Sequence, residues 1–95
     1  MAALGGIVEQ QNNQEFSNLA KFAVDEHNTR ENKQLSFIQL VSSKKQVVSG
    51  ILYHLIVEVE SEGLKKLYEA KVLEKAWQNF KSLESFVPYH GGKRQ

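Results

Sequence analysis

Ninety-five residues suffice for one small domain built on a single core. A hydrophobic share of 41% and a charged share of 24% put the chain among ordinary globular proteins. Its net charge of +1 argues against a nucleic-acid partner, which needs a one-sided basic field. With no cysteine, disulfides and thiolate chemistry are excluded, and packing alone must hold the fold.

The N-terminal Met1-Ala2-Ala3-Leu4-Gly5-Gly6 has no basic n-region and no apolar run of leader length, and no segment is apolar over a membrane's width. As written the chain is expected to stay in the cytoplasm, or to be secreted or vacuolar if a leader has been removed, and no membrane partner is expected. Residues 1–6 read as a flexible trunk, 91–95 as a frayed tail, and 1–95 as one domain without linker or repeat.

Ile7-Val8 could add a short edge strand. Asn12 then stands as a helix N-cap with Glu15 three residues on. Phe16, Leu19, Ala20, Ala23 and His27 recur at three- and four-residue steps, with Phe22 and Val24 widening the stripe. This predicts an amphipathic helix ending near 28–32, with Lys21, Asp25, Glu26 and Arg30 on its wetter side.

The remainder reads as β. Leu35–Val41 and Ile51–Val59 are rich in β-branched and aromatic residues. Between them, Ser42-Ser43-Lys44-Lys45 and Ser49-Gly50 supply turn formers. In the second strand Ile51, Tyr53, Leu55, Val57 and Val59 share an apolar face, while Leu52, His54, Ile56, Glu58 and Glu60 make a mixed one. Glu60–Gly63 reads as a turn and 64–74 as the returning strand, with Tyr68, Ala70 and Val72 on its inner face. A second connection over 75–79 leads to a last strand around 83–87. One helix followed by sequential hairpins predicts an α+β layer, with a four- to five-stranded antiparallel β-sheet wrapped around one long α-helix. That topology also gathers the N-terminal segment, the tip at 46–50 and the tip near Trp77 at one end of the sheet.

Two residues break the turn chemistry. Val47-Val48 sit where the first hairpin should turn, and they read either as a strand run on into the sheet or as an exposed apolar tip that another surface covers. Trp77 is large and flat, suited to a core or to a binding hot spot.

These segments together resemble the plant branch of the cystatin family. The helix carries Leu19-Ala20-Lys21-Phe22-Ala23-Val24 followed by Asp25-Glu26-His27-Asn28, similar to the plant helix signature. Gln46-Val47-Val48-Ser49-Gly50 matches the family's Gln-x-Val-x-Gly loop, Leu4-Gly5-Gly6 its glycine-bearing trunk, and Trp77 its second-hairpin tryptophan. The resemblance implies a reversible, competitive protein inhibitor of papain-like cysteine proteases. Leu4, Gly5, Gly6, Gln46, Val47, Val48, Ser49, Gly50, Ala76 and Trp77 would form the protease-binding wedge. Many relatives carry proline before the tryptophan, where this chain has Ala76. The resemblance also implies a monomer when active, with a domain-swapped dimer open to it. No legumain inhibition is expected of a chain that stops soon after its last strand. Endogenous protease control and defence against pests are both consistent with it.

Rival readings fare worse. His27, His54 and His90 show no metal-ligand spacing, and neither a nucleophile elbow nor a phosphate loop occurs, so no catalytic residue, metal or cofactor is expected. His27 is expected on the core side and His54 on the open sheet face. Glu58, Glu60, Lys65 and Lys66 read as a solvated face. A non-inhibitory binding module on the same frame is the alternative, since fold alone does not fix function.

Overall fold

The computed structural model describes residues 7–10 and 14–90. Five antiparallel strands, β1 (Ile7–Gln10), β2 (Ser36–Val48), β3 (Gly50–Ser61), β4 (Leu64–Lys75) and β5 (Phe80–Pro88), lie in the order 1-2-3-4-5. A single helix, α1 (Gln14–Glu31), packs across one face of the sheet. The expected α+β architecture is therefore found, with five strands.

The helix forms where the apolar stripe required it. Phe16, Leu19, Ala20, Ala23 and Val24 are buried against the inner face of the sheet, and Glu15 complements the positive end of the helix dipole. The proposed cap Asn12 lies outside the described residues. At the other end Asn32 takes a left-handed conformation, φ 54°, and the Lys33 N–H donates to the Asn28 carbonyl at 3.0 Å. This is a Schellman stop, with asparagine in the role usually given to glycine.

Asn28 does more than end the helix. Its Nδ2 donates to the Leu35 carbonyl (3.0 Å) and its Oδ1 accepts from the Leu35 N–H (3.1 Å). One amide side chain thus satisfies both backbone groups where the connection enters β2, beside the buried Leu35. Arg30 Nη1 donates to the Leu83 carbonyl (2.9 Å), tying the same end of the helix to β5. Asn28→Ala orphans two part-buried backbone groups. It should cost about 1–3 kcal/mol and lower the melting temperature by about 4–8 °C per kcal/mol. An unchanged thermal melt would show that water replaces both bonds at no cost.

The inner face of β3 is as the alternation required: Tyr53, Leu55, Val57 and Val59 are buried, with Ala70 and Val72 of β4 and Leu83 of β5 beside them. His27 stacks on Phe86 at 4.2 Å at the edge of this core, and burial lowers its pKa. His54 lies on the opposite, open face, paired in register with Lys44 and Lys71.

Two expectations are corrected. Ser42-Ser43-Lys44-Lys45 is no turn, since β2 runs unbroken to Val48 and every one of these residues pairs with β3. Polar residues are tolerated there because Ser42 and Lys44 face the open side, while Ser43 is buried within the pairing. The last strand also starts earlier, at Phe80, because it pairs back as far as Lys75. Glu62 and Gly63 alone connect β3 to β4, at φ 54° and 82°, as a two-residue type I′ hairpin requires.

Candidate functional site

The β2–β3 and β4–β5 hairpins end side by side. At the first tip Val48 and Gly50 are register partners with Ser49 alone between them. At the second, Lys75 pairs with Phe80, and Ala76–Gln78 make one 3₁₀ turn closed by the Asn79 N–H donating to the Ala76 carbonyl (3.0 Å). Asn79 supplies the left-handed residue, φ 50°, that returns the chain to β5.

Between the tips runs an apolar groove of about 490 Å³, lined by Val47, Val48, Ser49, Gly50, Ala76 and Trp77 from the expected set, with Ile51, Tyr53 and Glu74 as its floor. Trp77 is 65% exposed, and Val47 and Val48 are 37% and 42% exposed. The core reading of Trp77 is therefore excluded. Both readings of the valines hold in part: they complete β2, yet stay uncovered. Three large apolar side chains bared at one end of a small domain are an unfilled contact surface.

Gln46 stands apart from the groove. Its Oε1 accepts from His54 Nε2 at 3.2 Å on the open face. Leu4, Gly5 and Gly6 lie outside the described residues. Ile7 pairs with Gln46, so β1 begins at the tip end of the sheet.

Gly50 is fixed by its own chain. Its φ is +114°, and a Cβ there would stand 2.6 Å from the Glu74 carbonyl oxygen and 2.9 Å from Lys75 Cγ. The sequence marked this glycine as a turn former; the structure adds a close approach to β4. The absence of a side chain lets the first tip lie against the strand that carries the second.

Beneath it Tyr53 and Glu74 brace the two hairpins, the Tyr53 hydroxyl donating to Glu74 Oε1 at 3.3 Å. Burial and the adjacent Glu74 push the Tyr53 hydroxyl up to about 12, so it stays protonated and donating at neutral pH. Phe16 packs on the same ring at 5.7 Å, joining helix and brace. Sequence reasoning missed this floor, because Tyr53 read only as a core residue and nothing marked Glu74. Its one available signal was register, since Glu74 is the partner of Ile51, the residue after Gly50.

Among the described residues no group of three or more histidine, aspartate or glutamate side chains is placed to hold a metal. An exposed apolar wedge is what this end of the molecule offers.

Residues 8–89 match the model of a family described as "Aspartic acid proteinase inhibitor". "Cystatin-1" of Zea mays is 48% identical over 91 residues, covering 93% of this chain and 67% of that protein. The chain belongs to the plant cystatin family. "Cysteine proteinase inhibitor 6" of Arabidopsis thaliana is 52% identical over 91 residues, covering 93% of this cystatin but 39% of the relative, so the chain spans about two-fifths of that protein's length. The salivary cystatin of the soft tick Ornithodoros moubata superposes with a TM-score of 0.79 at 22% identity, over 93% of this chain and all of that one, which establishes the shared fold. The matched family and the Arabidopsis relative are named for proteinase inhibition, so the family is one of inhibitors rather than enzymes.

At Ala76 the structure permits what many relatives have. Lys75 before it is extended, φ −125° and ψ 96°, outside the helical region that a following proline disfavours. Ala76 opens a 3₁₀ turn, whose first N–H has no partner within the turn. Ala76→Pro should therefore fold normally and tighten protease binding by about two- to five-fold, by removing freedom from the unbound loop. Weaker inhibition by the folded variant would show that the tip must move to bind.

Proposed function

We propose that this cystatin is a reversible, competitive inhibitor of papain-like cysteine proteases that inserts the Val47–Gly50 and Ala76–Trp77 tips into the substrate cleft. The observation that supports it is the exposed apolar groove shared by the two tips, on a chain whose relatives carry the name cysteine proteinase inhibitor. Leu4, Gly5 and Gly6 would extend the wedge from the start of β1, with Leu4 in the enzyme's specificity pocket.

The physics suits inhibition without cleavage. Val47 and Val48 are β-branched and held at a strand end, so ordering them on binding costs little entropy. Trp77 presents a broad apolar face of the kind that dominates interface energetics. Acyl transfer requires a carbonyl in near-attack geometry with an aligned oxyanion hole. A wedge that passes the nucleophile buries area while supplying neither.

Papain titrated with the purified monomer tests this directly. Activity should fall linearly to zero at one equivalent and recover on dilution. A folded monomer that leaves papain active would favour the non-inhibitory binding module. Pepsin titrated in parallel separates the protease class in the family model's description from the class in the relatives' names. Loss of pepsin activity with papain untouched would overturn the proposal.

The active form is proposed to be the monomer. Swapping the arm through the first hairpin would straighten Val48-Ser49-Gly50 into continuous strand and dissolve the tip. A dimer isolated by size exclusion should accordingly leave papain active, and an inhibitory dimer would refute the swap.

A further inference from the structure

The open face of the sheet carries a second concavity, remote from the helix and separate from the groove. It encloses about 370 Å³ and is lined by Ser42, Lys44, His54, Glu69, Lys71 and Tyr89, with Ile56 at its base. We propose that this hollow binds a tetrahedral oxyanion, a phosphate or sulfate group, held between Lys44 and Lys71 over the His54 ring.

Register builds the site. Lys44 on β2, His54 on β3 and Lys71 on β4 are successive partners in one cross-strand row, continued by Glu9 on β1 and Ser85 on β5. Neighbouring strands lie about 4.8 Å apart, so the two lysine Cα atoms stand about 10 Å apart with the imidazole midway. Two flexible ammonium groups at that spacing can close on one oxyanion from opposite sides. Ser42 and Tyr89 also line the hollow and carry hydroxyls able to donate.

Lys44 and Lys71 flank β3 on one face rather than oppose each other. Among the side chains described from residue 14 onward neither makes a salt bridge, the single ion pair there being Arg30–Glu26 at 3.8 Å on the helix. An anion between the lysines gives both ammonium groups a counter-charge. Glu69, two residues from Lys71 on the same face, opposes the anion and sets a modest affinity.

His54 makes binding pH-dependent. Burial lowers its pKa first, then the charge of Lys71; Glu69 acts in the opposite sense and Lys44 again lowers it. The groups facing the ring are thus Lys44 and Gln46 from β2, and Glu69 and Lys71 from β4. Free of ligand the ring is neutral at physiological pH, its Nε2–H donating to Gln46 Oε1. A bound dianion favours the imidazolium, which can keep that bond while Nδ1 gains a proton. By linkage, affinity rises as pH falls through the pKa of the ring, and the ligand raises that pKa. None of this depends on protease inhibition, because the readout is binding itself.

The probe is inorganic sulfate, a dianion throughout the range in which histidine titrates, added to isotope-labelled protein with chloride withdrawn to hold ionic strength constant. Saturable amide shifts should appear at Ser42, Lys44, His54 and Lys71, with tighter binding near pH 5.5 than near pH 7.5 and an upward shift in the His54 imidazole titration. Lys71→Gln should weaken binding by about five-fold or more, and Glu69→Gln should tighten it. Lys65→Gln, outside the hollow, should change neither. Inorganic phosphate and O-phosphoserine are compared at the higher pH. Tighter phosphoserine binding assigns the hollow to a phosphorylated molecule, and equal affinity assigns it to the free ion. Shifts that never saturate, or a Lys65→Gln effect as large as that of Lys71→Gln, would reduce the phenomenon to general screening and overturn the site.

Discussion

Val48→Asp is expected to abolish stoichiometric inhibition of papain while leaving the fold intact. Val48 is 42% exposed at the last position of β2, so the free protein can hydrate a carboxylate there. Surface substitutions of this kind usually change stability by about 0.5 kcal/mol or less. In a closed protease cleft the same carboxylate would lose its water and gain no cation from this chain's groove, whose one charged lining residue is Glu74. Stripping solvent from an unpaired charge costs several kcal/mol, so inhibition should weaken by about a hundred-fold or more. Thermal melting run beside the titration separates the two effects. If Val48→Asp melts like the wild type and still titrates papain at one equivalent, the first tip lies outside the contact. A variant that neither folds nor inhibits would instead show that Val48 is structural, contrary to its exposure.

Much of this architecture was legible because the chemistry is local. The inner face of β3 could be read from alternation alone, since Tyr53, Leu55, Val57 and Val59 must all leave water together. The helix stripe from Phe16 to Val24 was legible for the same reason. Ser42 to Lys45 misled because turn propensity is a weak local preference, overridden here by eleven registered partners between β2 and β3. Two register shifts, between Phe37 and Gln39 and between Leu40 and Ser42, further obscure the alternation of β2. At the site, Val47, Val48, Ser49, Gly50, Ala76 and Trp77 were named in advance and meet in one groove. Tyr53 and Glu74 were not, because their pairing depends on which rungs of two strands face each other. The Lys44-His54-Lys71 row was hidden by the same cause. Its members are spread from Lys44 to Lys71 along the chain and become a cluster only through cross-strand register.

Gly50→Ala carries that dependence on register into the site, and it should damage stability and inhibition together. The variant meets two obstacles that cannot be relieved separately. Its φ of +114° lies where L-residues are strained by about 1–3 kcal/mol. Rotating to a relaxed φ would break the pairing of Gly50 with Val48 and unmake the tip. Keeping the angle drives the new methyl to 2.6 Å from the Glu74 carbonyl oxygen, a backbone atom that moves only with its strand. Lys75 Cγ, at 2.9 Å, belongs to a flexible side chain and can withdraw. The clash is therefore resolved by displacing β4 at Glu74, two residues before Ala76 and three before Trp77. That displacement stretches the Tyr53–Glu74 hydrogen bond, already 3.3 Å long, and shifts the second tip relative to the first. A melting temperature lowered by about 4–8 °C per kcal/mol should accompany inhibition weakened by about a hundred-fold. Lys65→Ala, exposed and at the far end of the β3–β4 pairing from both tips, should do neither. Strong inhibition by a destabilised Gly50→Ala would mean that the tips act independently, and that the close packing of Gly50 on β4 serves the sheet rather than the wedge.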